Sequence, residues 1–152
     1  MMSDEKRVMN IIIGSDHAGF DLKEEIRRFL SEKGDYVVKD MGTFSRDPVD
    51  YPVIAHEVAK NISEKRFNRG ILICGSGIGM SIVANRQRNV RAALCNSLYT
   101  VTLSRKHNDA NILVLGGRVV GLGLALEIVK LFLTTDFEGD RHQRRLDKID
   151  IT

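Results

Sequence analysis

The chain has 152 residues, of which 43% are hydrophobic and 28% charged, the size and balance of one domain with a buried core and not of a disordered or fibrous chain. Its net charge of +3 draws small phosphorylated metabolites as readily as nucleic acid. The densest basic run, Arg141 to Arg145, has no interleaved aromatic residues, which argues against nucleic acid as the partner.

Two cysteines, Cys74 and Cys95, are too few for a disulfide framework and are expected as thiols in a reducing compartment. The polar, mixed-charge residues Met1 to Asn10 lead into an apolar run, Ile11 to Ile13, that is too short for a secretion signal. The longest apolar region, Ile112 to Leu133, is interrupted by Arg118, Glu127 and Lys130, so no membrane span is expected. The expectation is a soluble, cytoplasmic protein whose residues 1–9 are flexible.

In chain order, five short runs rich in Val, Ile and Leu read as buried strands: Asn10 to Gly14, Tyr36 to Lys39, Gly70 to Cys74, Val90 to Cys95 and Ile112 to Leu115. Between the first two, Leu22, Ile26, Phe29 and Leu30 have helical spacing and Gly34 follows as the stop. A second helix starts near Pro52 with Ile54, Val58, Ala59 and Ile62 on one face. A third begins within Gly77 to Ser81, a fourth covers about Ser97 to Lys106, and a fifth runs from about Gly121 to Leu133 before a charged tail over residues 136–152. Strands alternating with helices predict an α/β fold: one three-layer α/β/α, Rossmann-like domain over residues 1–152 with a five-stranded parallel sheet. In such sheets ligands bind beyond the carboxyl ends of the strands, and chemically equipped residues stand there.

After the first strand comes Gly14-Ser15-Asp16-His17-Ala18-Gly19. A helix cap would account for Ser15 or Asp16, but not for the imidazole beside them. After the third strand, Cys74-Gly75-Ser76-Gly77-Ile78-Gly79-Met80-Ser81 offers backbone amides to an anion at a helix N-terminus. The run has neither the Gly-Lys-Ser/Thr ending of a nucleoside-triphosphate loop nor the dinucleotide spacing. A thiol-phosphatase loop would carry arginine where Met80 stands. What remains is a thiol at a place where the helix dipole and free amides favour thiolate, set against the alternative that Cys74 is a small buried hydrophobe. Cys95 has no such loop and reads as a packing residue.

Ahead of the fifth strand, Ser104-Arg105-Lys106-His107-Asn108-Asp109 closes a helix. Turn formation accounts for Asn108 and Asp109, whereas His107 can move a proton near neutral pH. Arg141 and Arg145, four apart, share a helical face and can grip one phosphate, unless they belong to a solvated basic tail. Arg118, after Gly116-Gly117, is a third phosphate candidate. Tyr51, His56 and His142 carry weaker signals, with His56 on a helix surface and His142 flanking the arginines.

These six blocks resemble the type B ribose-5-phosphate isomerase family, which includes galactose-6-phosphate and allose-6-phosphate isomerases. The likeness rests on Gly14 to Gly19, Asp50-Tyr51-Pro52, Ile73 to Gly79, Ser104 to Asp109, Leu115 to Gly121, and Arg141 to Arg145. It implies that Cys74 is the base shuttling a proton between C1 and C2 of ribose 5-phosphate. Members that use a glutamate have it at the position of Met80, so the cysteine variant is indicated. The resemblance further implies that Asp16 and His107 open the furanose ring. The amides of Gly75, Gly77 and Gly79, with Ser76, would stabilise the enediolate. Arg141 and Arg145 would hold phosphate with help from His17 and Arg118, while Tyr51 and Asn108 touch the sugar. A homodimer or homotetramer with shared active sites is implied, with no cofactor. No metal is expected, because the histidines and cysteines lack ligand spacing such as Cys-x-x-Cys. The alternatives are a six-carbon sugar phosphate as substrate, or a sugar-phosphate-binding module without turnover.

Overall fold

The computed structural model describes residues 8–151, so the part of the expected flexible terminus before Val8 lies outside the described residues. Met9 opens the first strand, and its amide donates to Asp35 O at 3.2 Å. Five strands and six helices follow one another: β1 Met9–Ser15, α1 Phe20–Lys33, β2 Tyr36–Asp40, α2 Tyr51–Ser63, β3 Arg69–Cys74, α3 Ile78–Ala84, β4 Ala92–Leu94, α4 Leu98–Lys106, β5 Ile112–Gly116, α5 Leu122–Thr134 and α6 Arg141–Leu146. All strand pairs are parallel, in the order β2-β1-β3-β5-β4.

Alternation along the central strands divides the core into two layers. Ile11, Ile13, Ile71, Ile73, Leu113 and Leu115 meet Ile26 and Leu30 of α1, Val101 of α4, and Ile128 and Phe132 of α5. Ile12, Leu72, Cys74, Ile112 and Val114 face the other way, onto Ala55, Val58, Ala59 and Ile62 of α2 and Met80 and Ala84 of α3. Strands that are apolar on both faces are what a parallel sheet covered by helices requires. Lys23 is fully buried, and its Nζ reaches Asp40 Oδ2 at 2.7 Å and Glu24 Oε1 at 3.1 Å, which ties α1 to the end of β2.

Two boundaries differ from the sequence reading. The strand expected over Val90 to Cys95 shrinks to Ala92–Leu94, because it is an edge strand paired only with β5. Asn85 clips Ala92 from outside through both amide groups, at 2.8 and 3.0 Å. The charged tail is partly helical: α6 lies over Arg141–Leu146, and Glu138 N donates to Lys106 O at 3.0 Å.

Leu72 sits fully buried at the centre of β3. Leu72→Ala is expected to lower the free energy of unfolding by about 2–5 kcal/mol. The measurement is the guanidinium denaturation midpoint, with the slope unchanged if the denatured state is unaffected.

Candidate active site

The sheet order puts β1 beside β3, and the chain leaves these two strands in opposite directions, toward β2 from one and toward β5 and β4 from the other. That junction is where a doubly wound sheet opens a crevice. The turn after β1 is clamped to the end of β3: Asp16 N donates to Ile73 O at 3.1 Å, and a Cβ on Gly19 would stand 2.6 Å from the same oxygen. The turn after β5 is clamped from the other side, with Gly117 N on Cys74 O at 2.7 Å and Arg118 N on Gly75 O at 3.0 Å.

Cys74 ends β3 with 5% of its surface exposed, and Gly77 N donates to its Sγ at 3.2 Å. Gly77 reaches that geometry at φ +82°, with a would-be Cβ 2.5 Å from Leu94 and 3.1 Å from the Leu115 backbone, so no side chain fits there. Ser76 is exposed, and its Oγ accepts from Ile78 N at 3.2 Å at the start of α3. Met80 is fully buried in the core facing α2, so that position offers no group to a ligand.

The other residues expected around Cys74 are present. Asp16 is buried, and its Oδ1 accepts from Gly19 N at 3.0 Å, which leaves Oδ2 without a hydrogen-bond partner among the described residues. The His17 ring is oriented by Val49 N, which donates to Nδ1 at 3.2 Å. Tyr51 opens α2 and lays its ring on Gly79, whose missing Cβ would lie 2.6 Å from Cε2 and Cζ. The Arg118 guanidinium borders Gly75, 3.5 Å from the position a Cβ there would take. Asp16, His17, Tyr51, Cys74, Ser76, Gly75, Gly77, Gly79 and Arg118 therefore share the carboxyl-terminal edge of the sheet. His56 is exposed on α2 and takes no part.

The remaining expected residues do not join them. His107 caps α4, whose chain has returned to the opposite edge, where Gly70 N donates to Asn111 O at 2.8 Å and Asn111 N donates to Arg91 O at 3.0 Å. Asn108 borders a cavity there with Asn85, Val90 and Ala92. Arg141 and Arg145 are exposed on α6 beside this edge, with His142 between them. Between the two edges runs the length of β3, whose five steps from Arg69 to Cys74 span about 17 Å at roughly 3.3 Å per residue. One chain thus carries the thiol and amides at one edge of the sheet and the second imidazole and the paired arginines at the other.

His142 is more than a flank to the arginines. It is buried, and its ring stacks on His107 with centroids 4.3 Å apart and 14° between planes. Glu138, which the motifs did not single out, faces both rings. A glutamate four residues ahead of His142 was the signal for it. Burial above all, then the charges of Arg141 and His107, holds His142 below its ordinary pKa of 6.5. The folded state therefore keeps this ring neutral where the unfolded chain would protonate it. Stability from His142 is complete above about pH 6.5 and is lost as the pH falls from there toward the lower folded value. His142→Gln is expected to flatten that part of the acid limb of stability, measured as denaturation midpoint against pH.

A family model described as ribose/galactose isomerase matches residues 11–149. The ribose-5-phosphate isomerase B of Escherichia coli strain K12 is 48% identical over 139 residues, covering 91% of this chain and 93% of that protein. Among solved structures, the ribose 5-phosphate isomerase of Thermotoga maritima is 51% identical with a TM-score of 0.92, over 95% of this chain and 99% of that one. The ribose-5-phosphate isomerase B of Mycoplasma genitalium, solved with bound ribulose-5-phosphate, is 42% identical with a TM-score of 0.89, over 94% of this chain and 95% of that one. With the glycine-clamped thiol at the strand junction and a match along nearly its whole length, this chain belongs to the ribose/galactose isomerase family.

Proposed function

We propose that the protein interconverts D-ribose 5-phosphate and D-ribulose 5-phosphate, with Cys74 carrying the proton. The observation that carries this reading is Cys74 itself, at the end of β3 with the amide of Gly77 on its sulfur and the Gly75–Gly79 loop around it. The sulfur takes the proton from C2 of the open aldose and returns it to C1, while the hydroxyl proton of O2 passes to O1. The negative charge that builds on the enediolate oxygens meets the loop amides and the Ser76 hydroxyl, donors fixed before the reaction begins. Asp16 and His107 transfer the proton that opens the furanose ring. Arg141 and Arg145 hold the phosphate with His17 and Arg118, and binding energy there aligns the reacting carbons. Tyr51 and Asn108 contact the sugar hydroxyls.

This assignment needs both half-sites, which lie on opposite edges of the sheet, so each complete pocket is formed by two copies: Cys74 and Asp16 from one, His107 and the arginines from the other. A homodimer, or a tetramer built from such dimers, follows. The pentose substrate is supported by the name of the Escherichia coli relative and by the ligand in the Mycoplasma genitalium structure. No helix among the described residues is long and apolar enough to cross a membrane, in keeping with a metabolic enzyme acting on a small ligand.

Cys74→Ala is expected to lower kcat by about 10²–10⁴-fold, the range of a general base, with sugar-phosphate binding kept. The assay is ketose formation together with solvent deuterium incorporation at C2, and turnover that survives the substitution refutes the role of the sulfur. Shared pockets are checked by mixing. Cys74→Ala and Arg141→Ala are each expected to be nearly inactive at low substrate, and subunit exchange between them restores about a quarter of wild-type sites, since half the dimers are mixed and each holds one intact pocket. A mixture that stays inactive would place all these residues in one chain's pocket.

A further inference from the structure

Lys23 is 0% exposed, and a lysine ammonium is seldom buried so completely unless it is paired. Its Nζ donates to Asp40 Oδ2 at 2.7 Å and to Glu24 Oε1 at 3.1 Å. The rings of Phe20 and Phe44 close over it, with centroids 5.4 and 5.5 Å away, within cation–π range. Phe44 is itself 70% exposed, so it covers a charge and adds little to the core. An apolar side chain at Lys23 would hold α1 on the sheet at least as well, because replacing a buried ion pair by packed apolar residues is often neutral or stabilising. What only the charge can do is grip the carboxylate.

The other oxygen of Asp40, Oδ1, accepts from Gly42 N at 2.9 Å. Gly42 O in turn accepts from Ser15 N, and Thr43 N donates to Ser15 O, both at 2.7 Å. Gly42 makes this turn at φ +95°, where a side chain would be strained. Residues 42 and 43 thus carry the pairing of β1 with β2 past the end of β2, onto the residue just before Asp16. The same segment runs on to Val49, whose amide orients His17. Asp16 N on Ile73 O holds this turn from the β3 side, and the Gly42–Thr43 pair holds it from the β2 side. We infer that Lys23 and Asp40 are positioning residues for furanose ring opening: their ion pair locks the carboxylate on Gly42 N, which sets the turn that carries Asp16 and His17. Without the ammonium, the Asp40 carboxylate, 17% exposed with Arg27 Nε 3.4 Å away, turns toward Arg27 and water and releases Gly42 N. The inference rests on the ring-opening role proposed above for Asp16.

Ring opening can be separated from proton transfer by the choice of substrate. D-Ribulose 5-phosphate carries its phosphate on O5, so it cannot close a furanose ring and reaches Cys74 already open. In D₂O, removal of a proton from its C1 and return of a deuteron there need no ring chemistry, whereas conversion of ribose 5-phosphate needs both steps. Lys23→Met is expected to slow isomerisation of ribose 5-phosphate about 10–100-fold, the cost of a misplaced catalytic group, with C1 exchange into ribulose 5-phosphate kept near the wild-type rate. Asp16→Asn should show the same split more strongly. Asp40→Asn keeps an oxygen for Gly42 N but loses the grip of the ammonium; it should show the split more weakly, and it serves if thermal unfolding finds Lys23→Met unfolded. The double variant Lys23→Met, Asp40→Asn should be no slower than Lys23→Met, because the two residues act along one path. Isomerisation at the wild-type rate in the folded variants, or an equal fall in isomerisation and exchange, overturns the positioning role, and if Asp16→Asn still shows its split, that role alone is refuted. If Asp16→Asn lowers both rates equally, or the wild-type protein converts neither sugar, the functional reading is refuted and the inference with it.

Discussion

Three backbone turns meet at the carboxyl ends of β1, β3 and β5, and their close approach is the constraint on which the rest depends. Gly19 lies against Ile73 O, Gly117 N binds Cys74 O, and Gly77 adopts φ +82° with its amide on the sulfur. At each contact a side chain would push main chain away from main chain. Their effect is to hold one thiol in a fixed relation to a fan of amides before any ligand arrives. Charge that develops on a ligand then meets dipoles already oriented, which is the economical way to stabilise it.

The sheet supplies the rigidity for this arrangement. Cys74 is both the last residue of a central strand and a member of the core facing α2 and α3, so its position is set by the packing of Leu72, Val114 and Met80 as much as by the loop. Met80 illustrates how one site divides labour. Buried in that core, it supports the start of α3 from beneath while the polar contact to the sulfur is left to the Gly77 amide.

The opposite edge has a different character. Arg105 is nearly buried, and it binds Asp109 Oδ1, Ala110 O and Thr135 O, all between 2.7 and 3.0 Å. It thereby fixes the end of α4 and the chain leaving α5, and so the place where His107, Glu138 and His142 meet. Arginine's rigid fork of donors makes it suited to joining several acceptors at once. The same edge carries the exposed Arg141 and Arg145, which form no ion pair among the described residues. One edge of the sheet is thus rich in cations and the other in backbone amides.

By itself the sequence determined the alternation of strands and helices, the helix stop at Gly34 and start at Pro52, and the cluster at the first and third strand ends. These are local matters: apolar periodicity, the φ of Pro and Gly, and the rule that ligands sit beyond parallel strands depend on neighbours in the chain. The same locality explains the reach of the motifs around Cys74, where every residue named except Tyr51 follows closely on a strand end. Only the tertiary structure decided the order β2-β1-β3-β5-β4, the shortening of β4 at the sheet edge, and the helix within the basic tail. It also decided that His107 and the arginines stand a strand's length from Cys74, and that Glu138 and His142 close on His107. Those relations join residues far apart in the chain, and they are set by which strands pair and which surfaces become buried together, quantities that no local pattern encodes.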